Sequence, residues 1–156
     1  MTKAEEVIRQ QILLKGRITF AEYMELALYG PEGYYSNGTF IGRLGDFYTS
    51  PTVHPLFGAL VTLQLEQIWE LIGSPAAFDV VEPGAGDGQL AHDILGFARH
   101  LDPKFFRSLR YTAIDRRQPP DDALEGLRWI QDDHLPFNHL VGCVLSNELV
   151  DSFSIH

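Results

Sequence analysis

Cysteine, basic residues and long apolar runs are all scarce in this chain. It has 1 cysteine among 156 residues, so no disulfide can form within the chain. No stretch approaches the ~20 apolar residues that a membrane-spanning helix needs. There are 12 lysines and arginines against 21 aspartates and glutamates, a formal net charge of -9. That balance argues against a broad phosphate-binding surface, and we expect neither a nucleic-acid partner nor a membrane partner.

The start of the chain also lacks targeting features. Met1-Thr-Lys-Ala-Glu-Glu does not have the basic and then apolar order of a secretory signal, and its two glutamates disfavour a mitochondrial transit peptide. We interpret the lone Cys143 as a buried, inert thiol, and these features together predict a cytoplasmic location. The 6 histidines are scattered without ligand spacing, so we expect no metal site.

Helical spacing of apolar residues dominates the N-terminal part of the chain. It predicts one helix over 4–14 and a longer helix over 55–72. Between them, Thr19 and Glu22 have the spacing of a capping box, which predicts a second helix that ends near Gly30. The segment from Gly30 to Pro51 is rich in glycine, proline and tyrosine, and we expect an extended loop that covers a ligand.

From Phe78 onward, short apolar runs alternate with a helical pattern. The predicted elements are strand 78–82, helix 88–99, and strands 110–115, 127–131 and 140–146. This alternation predicts a parallel α/β sheet, in which ligands bind at the carboxyl ends of the strands. The polar residues at those ends are Glu82, Asp115, Asp132, Asp133, Asn147 and Glu148.

The most informative segment is the turn that follows the first of these strands. Glu82 precedes Gly84, Gly86 and Gly88, where a ligand can lie against bare backbone at the start of a helix. A dinucleotide-binding turn would place its third glycine at position 89, which is Gln here. An acidic residue before the glycines suits a cationic ligand better than a pyrophosphate, and S-adenosylmethionine carries an ammonium and a sulfonium.

Two further acidic positions fit the same kind of ligand. Asp115 ends the second strand, where an acid commonly accepts hydrogen bonds from a ribose diol. One of Asp132 and Asp133, after the third strand, is expected to meet an adenine amino group. The sequence does not distinguish between these two.

Five motifs share their order with a known family. They are Gly30-Pro-Glu-Gly-Tyr-Tyr-Ser, Gly45-Asp-Phe-Tyr-Thr-Ser-Pro, Phe57-Gly, Glu82-Pro-Gly-Ala-Gly-Asp-Gly and Ser146-Asn-Glu-Leu-Val-Asp. Together these motifs resemble the MidA-like (DUF185) methyltransferases. The resemblance implies a Rossmann-like class I methyltransferase sheet with an N-terminal helical and loop cover. Residues 1–75 would form the cover, and residues 76–156 the N-terminal half of the cofactor-binding domain, with only its first four strands.

The resemblance also implies roles for individual residues. Glu82, Gly84, Gly86 and Gly88 would hold the methionine part of S-adenosylmethionine, and Asp115 its ribose. Asp46, Thr49 and Ser50 belong to the segment that would close over the cofactor. The family is similar to protein arginine methyltransferases in reaction, and its mitochondrial member is associated with assembly of respiratory complex I. The implied partner is therefore a protein substrate, such as a respiratory complex subunit.

For the transfer itself, the resemblance points to Asn147, Glu148 and Asp151. A guanidinium is always charged near neutral pH, so carboxylates must orient it and accept its proton. Glu148 and Asp151 are three residues apart and can share one face if the chain is helical there. Another interpretation is that these residues cap a strand-to-helix junction.

Two other functions remain open at this stage. The chain could be an NAD(P)-dependent oxidoreductase in which Arg116 and Arg117 bind a ribose phosphate, although the glycine spacing disfavours it. It could also be a non-catalytic assembly module that keeps the fold and presents the loop with Tyr34-Tyr35 and Phe47-Tyr48 to a partner protein. Because the family's sheet continues beyond His156, we expect an exposed apolar edge on the fourth strand. We therefore expect poor solubility or self-association through that edge, and weak or absent activity.

Overall fold

A computed structural model describes residues 2–36, 54–120 and 125–155 of the chain. Asp46, Thr49 and Ser50, predicted to contact the cofactor, lie outside the described residues. The described chain forms two compact units, one containing residues 2–36 and 148–155, and the other residues 54–120 and 125–147. The functional division predicted at residue 75 stays a prediction. Among the described helices, none has the length and apolar character needed to cross a bilayer.

The first unit contains two capped α-helices. Helix α1 spans Lys3–Lys15, and the Thr2 side chain accepts a hydrogen bond from the backbone N–H of Glu5. Helix α2 spans Phe20–Met24 and begins with the predicted capping box. The N–H of Glu22 donates to the Thr19 hydroxyl at 3.1 Å, and the N–H of Thr19 donates to the Glu22 carboxylate at 2.8 Å. These two bonds satisfy backbone donors at the start of the helix.

Helix α2 runs directly into a π-helical turn, Glu25–Tyr29, which ends at Gly30 as predicted. Two short 3₁₀ turns complete the unit, Tyr34–Ser36 and Val150–Ser152. The Tyr29 hydroxyl donates to the backbone oxygen of Ser152 at 2.9 Å. This bond attaches the C-terminal segment to the helical part of the same unit.

The second unit is a parallel α/β sheet with its helices. Helix α3 spans Leu56–Leu71, strand β1 Phe78–Pro83, helix α4 Gln89–Ala98, helix α5 Pro103–Ser108, strand β2 Leu109–Asp115, strand β3 Leu127–Gln131 and strand β4 Gly142–Val144. All three strand pairings are parallel, and the order across the sheet is β3-β2-β1-β4. The predicted α/β, Rossmann-like fold is confirmed, and the strand order reverses between β1 and β4, where such sheets bind ligands.

Two elements differ from their predictions. Helix α5 was not predicted, although Asp102 caps it by accepting a bond from the N–H of Lys104 at 2.6 Å, and Pro103 stands in its first turn. Strand β4 is shorter than the predicted 140–146. The N–H of Leu145 still donates to the Val81 oxygen at 2.8 Å, so the chain continues alongside β1 for one residue beyond the regular strand.

The hydrophobic core lies between one face of this sheet and helices α3, α4 and α5. Phe105 of α5 is fully buried and packs on Trp69 of α3 and Phe78 of β1, with ring centroids 5.7 and 6.1 Å apart. At one end of the described sheet, Val144 of β4 is 53% exposed. Self-association through this edge stays a prediction.

Candidate functional site

The glycine turn between β1 and α4 has a left-handed backbone at every second residue. Gly84, Gly86 and Gly88 have φ angles of +72°, +68° and +80°. A residue with a side chain is strained at such positive φ angles, so the shape of the turn requires glycine at these three positions. The N–H groups of Gly84 and Ala85 both donate to the backbone oxygen of Ile114, at 2.8 and 3.2 Å. The turn is thereby attached to the end of β2.

Glu82 is a carboxyl group at the end of β1 that is only 3% exposed. Its Oε2 accepts a hydrogen bond from the Tyr111 hydroxyl at 2.7 Å, and no cationic side chain of the described residues pairs with it. Burial raises the pKa of Glu82 to about 7, helped by the negative charges of Asp87 and Asp115 and opposed by the bond from Tyr111. A cationic ligand would favour the ionised form.

Asp115 connects the end of β2 to the glycine turn. Its Oδ2 accepts a bond from the N–H of Gly86 at 2.8 Å. Its Oδ1 accepts bonds from the backbone N–H of Arg117 at 2.9 Å and from the Arg117 guanidine Nε at 3.1 Å. The carboxylate therefore supports the turn in addition to the ribose-binding role predicted for it, which stays a prediction.

Asp132 and Asp133 lie after β3, and both are exposed. The N–H of Asp132 donates to the backbone oxygen of Asp115 at 3.1 Å, which joins the ends of β2 and β3. The Asp132 carboxylate accepts bonds from the N–H groups of Asp133 and His134, and these bonds lower its pKa. Asp133 lies 3.4 Å from the Arg116 guanidinium. The adenine contact predicted for one of them stays a prediction.

The residues after β3 also form a group of possible metal ligands that the sequence did not suggest. One potential ligand atom from each of Asp132, Asp133 and His134 lies within 4.8 Å of the others, and all three residues are exposed. The sequence predicted no metal site because the histidines lack ligand spacing. His134 Nδ1 contacts both carboxylates, and the expectation of no metal site stays a prediction.

Sequence reasoning missed Tyr111 and Trp129 as residues near the glycine turn, and it considered Arg117 only as a ribose-phosphate ligand of an oxidoreductase. A Cβ built on Gly86 would lie 3.3 Å from the Arg117 guanidinium, and one built on Gly88 would lie 3.3 Å from the Trp129 ring. The Trp129 ring N–H donates to the backbone oxygen of Arg117 at 3.2 Å. The available signal was the tyrosine hydroxyl in an otherwise buried strand, since such a group needs a partner.

The residues predicted to bind an acceptor lie in the last part of the chain. Asn147 is half-buried, three residues beyond β4. Glu148 is exposed and has a φ angle of +51°, which is uncommon for a residue with a side chain. The helical turn Val150–Ser152 contains Asp151 and begins after Glu148, so the two acids do not share one helical turn. Their catalytic roles stay predictions.

At the sheet, the predicted positions do come together. Glu82, the three glycines, Asp115, Asp132 and Asp133 all lie at the carboxyl ends of β1, β2 and β3. The fold is a Rossmann-like sheet, and its candidate site is a glycine turn that lies between the acidic residues Glu82 and Asp115. The family model described as "Putative S-adenosyl-L-methionine-dependent methyltransferase" matches residues 60–156, and the chain belongs to this family. The resemblance to a methyltransferase family is thus confirmed.

Individual relatives agree with this assignment. The chain is 47% identical over 89 residues to "Protein arginine methyltransferase NDUFAF7 homolog, mitochondrial" of Drosophila melanogaster, covering 56% of this chain and 20% of the relative. It is 46% identical over 81 residues to "Protein arginine methyltransferase NDUFAF7, mitochondrial" of Bos taurus, covering 51% and 18%. The chain thus spans about a fifth of the length of these curated relatives.

A solved structure shares the fold. It is a chain from Burkholderia thailandensis bound to S-adenosyl-homocysteine, with a TM-score of 0.74 and 28% identity, covering 97% of this chain and 42% of that one.

One expectation from the sequence is contradicted. The cytoplasmic location was inferred from composition and the first residues, whereas the curated relatives are named as mitochondrial proteins.

Proposed function

We propose that this chain supplies the cofactor-binding half of an S-adenosylmethionine-dependent methyltransferase that modifies an arginine of a partner protein. The observation that carries the proposal is the buried Glu82 carboxyl, which pairs with no cationic side chain of the described residues, beside three left-handed glycines at the point where strand order reverses. A buried carboxyl group is costly to ionise unless a positive charge joins it. A ligand that brings such a charge would complete the site.

The site residues fit S-adenosylmethionine and fit a dinucleotide poorly. Bare backbone at Gly84, Gly86 and Gly88 leaves room for a ligand, and Glu82 would hold its ammonium. A pyrophosphate in the same place would meet the negative charges of Glu82 and Asp87, which repel it. When bound, S-adenosylmethionine supplies an electrophilic methyl group. Asp115 would hold the ribose of that cofactor, and Asp132 or Asp133 its adenine.

The acceptor side of the proposal depends on the last residues. Glu148 and Asp151 would orient a guanidinium by charge-assisted hydrogen bonds, and one of them would accept the proton that the nitrogen loses. Asn147 would donate or accept a further bond beside them. Support comes from the names of the curated relatives, which are protein arginine methyltransferases. A subunit of a respiratory complex is the partner that the sequence resemblance suggests.

Calorimetric titration tests the cofactor half of this proposal. We expect saturable binding of S-adenosylmethionine and S-adenosylhomocysteine, no binding of NADPH, and a loss of about tenfold or more in affinity for Glu82→Ala. Glu70→Ala is the matched control, since Glu70 is an exposed glutamate of α3. Binding of NADPH alone would support an oxidoreductase instead. A folded chain that binds none of these ligands would contradict the proposal.

Transfer is tested by incubating the chain with S-adenosylmethionine and arginine-containing proteins. Glu148→Gln is expected to lower the methyl-transfer rate to arginine-containing mitochondrial proteins by about 10²-fold or more, because the amide cannot accept a proton. Its affinity for S-adenosylhomocysteine should stay unchanged. If Glu148→Gln transfers methyl groups at the wild-type rate, the acceptor site lies elsewhere.

A further inference from the structure

Tyr111 and Glu82 project from neighbouring strands on the same face of the sheet. In the β1–β2 register Tyr111 lies opposite Val80, and Ala113 lies opposite Glu82. Side chains alternate along a strand, so these four residues share one face. Ala113, directly opposite Glu82, has a small side chain, and Tyr111 lies diagonally across from Glu82. The hydroxyl thereby reaches Glu82 Oε2 at 2.7 Å.

Both partners are buried, at 1% exposure for Tyr111 and 3% for Glu82. The tyrosine ring belongs to the apolar core cluster, where a phenylalanine would pack equally well. The hydroxyl is therefore not needed for packing, and its donor is used on Glu82. Among the described residues, the other carboxylate oxygen, Oε1, accepts no hydrogen bond, so it remains available to a ligand.

We propose that Tyr111 is a positioning residue of the cofactor site: its hydroxyl holds the Glu82 carboxyl group in one orientation and favours its ionised form, ready for the ammonium group of the ligand. This inference rests on the proposed function. It adds a residue of β2, inside the core, to a site otherwise formed by the ends of the strands and the glycine turn.

The charges around Glu82 show why this hydrogen bond matters. Burial raises the pKa of Glu82, and the negative charges of Asp87 in the glycine turn and Asp115 at the end of β2 raise it further. Cys143 of β4 pairs with Val80 of β1, the strand that separates it from Tyr111, and burial raises the pKa of its thiol. The hydroxyl of Tyr111 is the group that opposes these effects. Without it, Glu82 would hold its proton to higher pH.

The test is the affinity of Tyr111→Phe for S-adenosylhomocysteine, which carries the ammonium, measured by calorimetry between about pH 6 and 8.5. In the wild type we expect affinity to rise with pH through about 7, where Glu82 ionises. At pH 7 the variant should bind about tenfold more weakly, the size of a hydrogen bond to a charged group. Near pH 8.5 the difference should narrow to about threefold or less, because both carboxyls are then largely ionised.

Several outcomes overturn the inference. One is a variant that binds as well as the wild type at every pH; another is a folded variant weakened equally at every pH, which indicates a structural role alone. Glu82→Gln is the reference, because it should bind weakly and without this pH dependence. A wild type that binds without pH dependence would overturn the inference and leave the proposed function intact, whereas a folded wild type that does not bind overturns both.

A second measurement does not depend on the variant folding. Carbon NMR of the Glu82 side-chain carboxyl in the wild type should show a pKa near 7 that falls when S-adenosylhomocysteine is added, since the ammonium favours the ionised form. A carboxyl pKa that bound ligand does not move would show that Glu82 does not face the ammonium. That result would overturn the role assigned to Tyr111.

Discussion

The carboxylate of Asp115 accepts a hydrogen bond from the backbone N–H of Gly86 at 2.8 Å. The bond joins the end of β2 to the middle of the glycine turn, 29 residues away in sequence. The same carboxylate also accepts two bonds from Arg117, so both of its oxygens have protein partners. Asp115 therefore supports the turn through contacts within the protein.

Replacement of Asp115 by alanine should destabilise the sheet unit. The N–H of Gly86 and the Arg117 side chain both lose their acceptor, and loss of such bonds costs about 1–3 kcal/mol in the free energy of unfolding. Urea unfolding followed by circular dichroism measures this change. Arg117→Ala is the control, since it leaves the bond to Gly86 in place and should cost less than about 1 kcal/mol. Equal losses in the two variants would show that the bond to Gly86 contributes little.

Glu82 should make the stability of the chain depend on pH. Its pKa is raised from 4.5 to about 7 in the folded state, so the folded chain binds this proton more tightly than the unfolded chain. The stabilising effect of the protonated carboxyl is present below about pH 4.5 and is lost as pH rises through about 7.

Glu82→Gln tests this dependence because glutamine stays neutral at every pH. Relative to the wild type, the variant should gain up to about 3 kcal/mol in the free energy of unfolding at pH 8, and little at pH 4.5. Urea titrations at both pH values measure the difference, with Glu70→Gln as the exposed control. A gain of the same size at both pH values would mean that ionisation of Glu82 is not its cause.

Local patterns accounted for most of the fold, and contacts between distant residues accounted for most of what was missed. The capping box of Thr19 and Glu22 and the strand that begins at Phe78 depend on residues close in sequence, and both appear as predicted. The bond from Tyr111 to Glu82 depends on the register of β1 against β2, which no local pattern contains. The contact of Arg117 with the glycine turn is of the same kind.

The candidate site shows the same difference between local patterns and contacts of distant residues. The acids at the ends of strands were found because strand ends are visible in the apolar pattern and parallel sheets gather them at one edge. What each acid binds was not visible: Asp115 supports Gly86, and Asp132 accepts bonds from its own turn. The predicted cytoplasmic location was wrong for a different reason, because composition and the first residues carry little information about a protein's compartment.

The capping box at α2 should stabilise the first unit in a pH-dependent way. Lys15 and the backbone of Thr19 donate to Glu22 and lower its pKa from 4.5 to about 2. This contribution is present above about pH 4.5 and is lost as pH falls through about 2. Thr19→Ala should cost about 1 kcal/mol at pH 7. Glu22→Gln should lower the melting temperature at pH 7 but not at pH 2, and an equal decrease at both would contradict the assignment.

Gly142 should be the glycine of the sheet that tolerates substitution least. Its φ angle is +156°, and a Cβ at this position would lie 1.9 Å from the backbone oxygen of Asp79. Since Gly142 pairs with Asp79 at the start of β4, any side chain must push β4 away from β1. We expect Gly142→Ala to lower the free energy of unfolding by more than about 2 kcal/mol.

Gly73→Ala separates this steric effect from backbone strain alone. Gly73 also has a positive φ, +92°, but nothing lies within 4 Å of a Cβ built there. Its substitution should cost about 1 kcal/mol, the strain of a left-handed alanine. Urea unfolding compares the two variants, and amide exchange of Asp79, whose N–H donates to the Val141 oxygen at 2.9 Å, reports on β4 directly. If both variants lose the same stability and Asp79 stays protected in both, contact with β1 is not what requires glycine at 142.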